Sequence, residues 1–377
     1  MKINFVIHDI NKNGGQERST LEIIKNLNEN NDITVLSSSF ADLPEKLKKI
    51  LIPVGLRRPL VVKDFVFRFF SYLHLFQLKK ELIHATGTCV FFADIFTIQF
   101  VQKRWKQEIK NVQYVSFFRA IKEKFQVIYD VYWESLVFWI NRKRRFIAIS
   151  AQVGNDLRKI YGLENVDVIS HGVNSIDFFP QKEISEKIIR NRHLELKSDT
   201  IILFVGAFER KGLATLLRAL KKVCERHQDW KLIIVGSGPQ KDMEILAKKL
   251  KISQHILFAG PRQDVAAYYQ AADLFILPSH YDPFGLVGAE ALASGCPSIL
   301  SLQSGCSDLI NEGKNGFLLK DSTDSTELSQ LIIAFLSQPQ AHPQMRIQAR
   351  LSVENMNWLK VSKSYEKVFQ QTLENMR

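Results

Sequence analysis

The sequence predicts an α/β fold with open parallel sheets, and three observations carry that prediction. Short apolar runs recur through both halves, each closed by a turn rich in Gly, Pro, Ser or Asn. Stretches in helical period follow several of those turns, which is the alternation of βαβ units. The 377 residues are enough for two domains of ordinary size. With 46% hydrophobic and 24% charged residues the chain reads as globular rather than disordered.

Residues 274–300 show the pattern most fully. An apolar run at 274–277 ends at Pro278 and Ser279, and Pro283 and Gly285 allow a tight loop. Small helix formers fill 287–293, and a second apolar run begins after Gly295 and Pro297. Strand, glycine loop, helix and strand make one βαβ unit, so the loop 279–286 is expected beside a binding crevice. Asp282 and Glu290 lie eight positions apart across it. The amides of Phe284, Gly285 and Leu286 open the helix and suit a phosphate or sugar oxygen. A carboxylate at Glu290 can accept two hydrogen bonds from a vicinal diol such as ribose. Spacing alone leaves a solvated acid pair beside an ordinary loop equally open.

With its two acids and its PFGL and EALASGCP runs, this stretch resembles the family 4 retaining glycosyltransferases of GT-B fold. The resemblance implies two Rossmann-like domains facing each other across a cleft. It places Asp282 near the donor sugar, 284–286 on sugar and phosphate, and Glu290 on the ribose. The family's first acid is usually Glu, and Asp282 is one methylene shorter.

In the amino-terminal half, 2–8 predicts a strand and 19–27 a helix, with Gly14 and Gly15 between them. Paired glycines there permit close backbone approach of a ligand, although most such pairs are turns. The GGQER run resembles the family's first loop, GGxE, which faces the donor diphosphate and the acceptor. Glu17 either orients that loop or simply favours the helix dipole. Further strands are expected at 81–86, 95–99 and 146–150, a helix at 151–161 and a strand at 166–169. Gln99 stands where many family members carry a His, so no imidazole base is expected there. His84 reads as a packed or surface histidine.

Aromatics and bases are mixed in this half. Arg57, Arg58 and Lys63 precede Phe65, Phe67, Phe69, Phe70, Tyr72 and Phe76. Lys103, Arg104, Trp105, Lys106 and Lys110 precede Phe117, Phe118, Arg119, Lys122, Lys124 and Phe125, and Trp133, Phe138 and Trp139 run into 142–145. Such helices suit an anionic membrane surface, or else supply core aromatics with a solvated basic rim. The net charge of +12 favours anionic partners in general. No nucleic-acid-binding motif accompanies it, so nucleic acid is not an expected partner.

His171, Gly172, Val173 and Asn174, with Phe178 and Pro180, resemble the family's passage between domains, and the charged helix 183–194 that follows reads as a linker rather than a core element. This gives an acceptor-side domain over 1–178, completed by a terminal helix within 358–377, and a nucleotide-sugar-binding domain over 179–357. In the second half 200–205 is an apolar strand, Gly206 a turn, and Arg210, Lys211 and Gly212 lead into the helix 213–224. Cations at a helix start oppose the dipole and ask for a reason, and a diphosphate supplies one. The resemblance carries the family's late lysine onto Lys211. Ala207 holds the place of its early arginine, so Arg210 is read as the replacement. Strands are expected at 230–235, before Gly236, and at 256–260. The family's glycine turn around Gly236 shapes the donor pocket.

The expected reaction is transfer of a hexosyl group from a nucleoside diphosphate sugar, most simply a UDP-sugar, with retention. Lys211, Arg210 and the loop amides would stabilise the leaving diphosphate. No Asp-x-Asp pair stands at a strand end, so neither metal nor further cofactor is expected. The acceptor would be a glycan or lipid-linked glycan of the cell envelope. A non-catalytic sugar-nucleotide binder of the same fold and an epimerase of related fold are the alternatives. Cys89, Cys224, Cys296 and Cys306 form no metal or disulfide pattern. Residues 1–10 are too short and mixed for a signal peptide, and no run of about 18 apolar residues occurs. A cytoplasmic enzyme, peripheral on the membrane, is the expectation.

Overall fold

A computed structural model describes the chain apart from residues 11–13, 41–42, 45–46, 55–59, 77–80, 113–116, 194–199 and 377, and apart from the side chains of 60, 117–120 and 122. Arg57, Arg58 and the side chains of Phe117, Phe118, Arg119 and Lys122 therefore lie outside the described residues. The chain divides into two compact units. The first comprises Met1–Lys106, Glu123–Gly172 and Met356–Arg377, and the second Gln107–Lys122 and Val173–Asn355.

The first unit is built on strands β1 (Lys2–Val6), β2 (Asp32–Ser37), β3 (Lys48–Leu51), β4 (Leu82–Thr86), β5 (Ile95–Ile98), β6 (Arg145–Ala148) and β7 (Val166–Val168). They pair in parallel in the order β3-β2-β1-β4-β5-β6-β7. The central strands are apolar throughout because both faces are covered. β3 (KKIL) is an exposed edge strand without that run, which is why its sequence carries no strand signal. Helices α1 (Gly15–Leu27), α2 (Leu60–Phe76), α3 (Gln102–Glu108), α4 (Phe117–Ile140) and α5 (Ala151–Tyr161) connect the strands.

In the second unit helix α6 (Lys182–Arg192) precedes β8 (Thr200–Val205), α7 (Leu213–Val223), β9 (Trp230–Val235), α8 (Gln240–Lys249), β10 (Ile256–Gly260) and α9 (Val265–Ala271). Then come β11 (Leu274–Leu277), α10 (Leu286–Ala293), β12 (Ser298–Ser301), β13 (Gly316–Leu319), α11 (Ser325–Leu336) and α12 (His342–Ser352). The sheet is parallel in the order β10-β9-β8-β11-β12-β13. Both orders reverse direction beside the first strand, which creates a switch point at the carboxyl ends of β1/β4 and of β8/β11.

The charged helix expected at 183–194 is present as α6, but it is packed within the second unit rather than serving as a linker. In α6, Ile189 is fully buried and Ser185 Oγ donates to Gln270 Oε1 of α9 at 2.6 Å. Its charged residues misled because they occupy only the outer face: Arg190 pairs with Glu186 one turn away. The terminal helix α13 (Trp358–Met376) belongs to the first unit, where Asn31 Nδ2 donates to Glu366 Oε1 at 3.2 Å. His84 is a packed histidine, bonded to Thr97 Oγ1 at 2.8 Å among Phe5, Tyr365 and Phe369, and burial drives its pKa down to about 3.

Candidate active site in the second unit

The adjacency of β8 and β11 brings their following loops together, and with them the charged residues singled out above. Asp282 is 7% exposed and sits between two cations. Lys211 Nζ lies 3.4 Å from its Oδ2 and Arg210 Nη1 3.6 Å from its Oδ1. The backbone fixes this triad: the His280 amide donates to Arg210 O at 3.0 Å, and Arg210 Nη1 donates to Tyr281 O at 2.8 Å. Asp282 itself is clamped to the next loop, its N–H donating to Gln303 O at 2.9 Å and its carbonyl accepting from Gly305 N at 2.8 Å.

Burial lowers the pKa of Lys211, and the neighbouring Asp282 works against that shift. Burial would raise Asp282, but Lys211 and Arg210 together outweigh it and hold the carboxyl below its ordinary value. Two cations against one carboxylate leave a positive excess, set where α7 and α10 both begin. The first N–H groups of those helices have no acceptor within the helix. The arrangement is suited to an anion carrying more than one charge.

The glycines serve this geometry by close approach. A Cβ on Gly206 would run into the stem of Lys211, so the bare backbone is the slot along which the lysine lies. Gly236 lets the ends of β8 and β9 meet, since a Cβ there would strike the carbonyl of Gly206. Gly285, at φ 84°, is the cap of α10, and its bare Cα fits against Ser304 and Cys306. Phe284 is buried beneath the loop and Leu286 half-buried at the helix start. Glu290 is buried one turn further on, where Tyr269 Oη donates to its Oε2 at 3.3 Å. Tyr269 gave no signal in sequence, because its partner lies 21 positions away. Gly212, at φ 75° and packed on the carbonyl of Pro278, also belongs to the site and was foreshadowed only by its place after Lys211.

Gly14 and Gly15 lie in the first unit. Gly14 caps α1 with an ordinary φ of −99°, and Glu17 folds back over it. Gln99 accepts from Ser19 Oγ at 3.1 Å and reaches Thr20, so it latches α1 to the end of β5.

Residues 13–175 match the profile described as Glycosyltransferase Family 4, and 185–352 match that of Glycosyl transferases group 1. Together the two matches span most of the chain. It belongs to the family 4 glycosyltransferases of GT-B fold.

Among solved structures, the chain is similar to WaaG, described as a glycosyltransferase involved in lipopolysaccharide biosynthesis. The TM-score is 0.81 at 19% identity, covering 97% of this chain and 99% of that one. Anabaena HepE, solved in complex with UDP and glucose, gives 0.73 at 17% identity, covering 98% and 99%. A D-inositol 3-phosphate glycosyltransferase of Corynebacterium kroppenstedtii is 34% identical over 168 residues, 41% of this chain and 37% of that protein. The chain spans about half the length, or less, of the curated relatives it matches first. Both units have the doubly wound parallel sheets of a GT-B enzyme, as the motifs implied.

Proposed function

We propose that this family 4 chain transfers a hexosyl group from a UDP-sugar, with retention, to a glycan or lipid-linked acceptor of the cell envelope. The observation that carries this reading is the Arg210–Lys211–Asp282 triad at the β8/β11 switch point. As the sugar–phosphate bond breaks, charge grows on the departing diphosphate, and Lys211 and Arg210 are already oriented to receive it. Glu290 would hold the ribose diol, and the loop after Pro283 the phosphate and sugar oxygens. Asp282 neutralises part of the cationic pair and positions it, and the reading assigns it no covalent role. HepE's complex with UDP and glucose supports the choice of donor.

The first unit would serve the acceptor and lie on an anionic membrane surface. No helix among the described residues is long and apolar enough to cross a membrane. Phe67 and Phe138 are core residues, whereas Phe65, Phe69 and Phe76 of α2, and Phe125, Tyr132 and Trp139 of α4, are exposed. Arg142, Lys143 and Arg144 follow α4 at the surface. Arg145 does not join them, because it lies in β6 and pairs with Asp167 at 2.6 Å.

A screen of UDP, GDP and ADP release from common sugar nucleotides tests the transferase reading, with Lys211→Ala and Glu290→Ala alongside. Release of UDP from one donor, lost in both variants, is expected. No release from any donor, with mixed membrane lipid present as acceptor, favours a sugar-nucleotide binder instead. For the membrane, Arg142→Ala with Lys143→Ala should reduce co-sedimentation with phosphatidylserine vesicles several-fold. Unchanged sedimentation would refute that surface.

A further inference from the structure

The switch point of the first unit holds a pocket of about 240 Å³ that none of the residues discussed so far explains. The ends of β1, β4 and β5 supply His8, the run 86–89 and Gln99. Two helices close the sides with pairs spaced one turn apart: Asp64 and Arg68 from α2, Asp130 and Glu134 from α4.

Arg68 is the centre of the site. It is 8% exposed, its Nε donates to Thr88 O at 3.1 Å, and its guanidinium lies 4.4 Å over the Trp133 ring. Stacked in this way it is fixed, yet its Nη1 is buried without a hydrogen-bond partner. Thr86 is 2% exposed, and its Oγ1 likewise has none. Buried polar atoms left open beside a cavity incur a cost that a ligand can relieve.

Charge says which ligand. Three carboxyls line the pocket beside the single guanidinium: Asp64, Asp130, and Glu134, whose oxygens already accept from the amides of Gln102 and Lys103 and from Tyr161 Oη. The ring of His8 is hydrogen-bonded through Nδ1 to Asp9 at 2.7 Å, while its Nε2, 3.4 Å from Asp64, is a third buried atom without a hydrogen-bond partner. Burial raises the pKa of all three acids, Asp130 to about 6 and Glu134 to about 7, and repulsion of Asp130 by Asp64 and of Glu134 by Asp130 adds a smaller amount. A phosphate or carboxylate would meet that repulsion, whereas carboxyls and a fixed guanidinium together match the alternating donors and acceptors of hydroxyls. The groups are not placed to hold a metal, since among the described residues no cluster of three His, Cys, Asp or Glu is. The volume falls below the roughly 300–1,000 Å³ of pockets for drug-sized ligands, which fits one ring.

We propose that this pocket receives one sugar ring of the acceptor as a hydroxyl-rich group without phosphate or carboxylate, with Arg68 Nη1 and Thr86 Oγ1 making direct hydrogen bonds to it. The assignment rests on the transferase reading for the word acceptor, but its test does not require turnover.

Saturation-transfer NMR on the full chain, with methyl hexosides and methyl glucuronide as probes, reads the site directly. At least one neutral methyl hexoside should bind and methyl glucuronide should not. Thr86→Val, which keeps the shape and removes the hydroxyl, should weaken the neutral probe about two- to tenfold. Asp64→Asn should admit methyl glucuronide. A cooperative thermal unfolding transition in both variants shows that they are folded. Equal binding of glucuronide and neutral hexosides to the unaltered protein would overturn the proposal. So would neutral binding that neither variant changes, or no binding by any hexoside. Failure of donor turnover with the probe results intact would instead count against the transferase reading alone.

Discussion

The two switch points occupy the same place in two similar sheets and carry opposite charge. At β8/β11, Arg210 and Lys211 crowd one carboxylate, Asp282. At β1/β4, the pocket that contains one guanidinium, Arg68, is lined by Asp64, Asp130 and Glu134. The fold thus supplies a crevice in each unit, and a few side chains on the following loops and helices decide what it takes. A cation-rich crevice suits a leaving diphosphate, and an acid-rich one a neutral polyol. The difference also separates two roles of burial. It opposes charge in both places, but in the second unit the ions are paired, while in the first the carboxyls retain their protons to higher pH.

The largest effect expected from breaking this contrast is at Lys211. Lys211→Ala removes the better-buried cation and should lower the transfer rate by about 10²–10³-fold, the cost of one preorganised donor to developing charge. A single-turnover measurement at saturating donor checks it, and a change in donor affinity alone would assign Lys211 to ground-state binding.

Asp282→Asn should act on stability. It leaves Lys211 buried without its counter-charge, and breaking such a pair costs on the order of 3 kcal/mol. Added UDP brings the missing negative charge, so the rise in Tm it causes should be larger in the variant than in the unaltered protein. Thermal scans with and without UDP decide it. Equal shifts in the two proteins would mean that the diphosphate does not meet these cations.

How much of this was legible in the sequence follows from the kind of signal each residue leaves. Apolar runs gave β8, β9, β10 and β11 nearly to the residue, because buried parallel strands are apolar on both faces. Lys211 stood out because a cation opens a helix against its dipole, and Gly206 because it ends a strand. The edge strand β3 left no trace, and the charges on the outer face of α6 made that helix read as a linker rather than a packed element. The first unit's pocket was obscured by the aromatics around it. Its signal was nonetheless present: Asp64 and Arg68, like Asp130 and Glu134, are i, i+4 pairs within otherwise apolar helices, where charge is costly unless it is used. That the two pairs meet in one pocket depends on the packing of α2 and α4 at the sheet end, which no local pattern encodes.

The smallest effect, and the one that isolates the acid-rich crevice without any ligand, is at Asp130. Burial raises its pKa to about 6, the Gln126 hydrogen bond at 2.9 Å opposes that shift, and Asp64 adds to it. Its unfolded value is 3.8. A carboxyl with a raised folded pKa contributes nothing adverse below the unfolded value, where both states are protonated. Its cost grows as pH rises from about 4 and is complete above about 6. Because the group is partly exposed, solvent screening reduces that cost to about 1 kcal/mol. Asp130→Asn keeps an oxygen for Gln126 and removes the charge. The variant should therefore be more stable than the unaltered protein at pH 8 by about 1 kcal/mol, with a smaller gain at pH 4.5. Urea denaturation at the two pH values measures the difference. An equal gain at both would mean that the carboxyl's shape, rather than its charge, is what the pocket tolerates poorly.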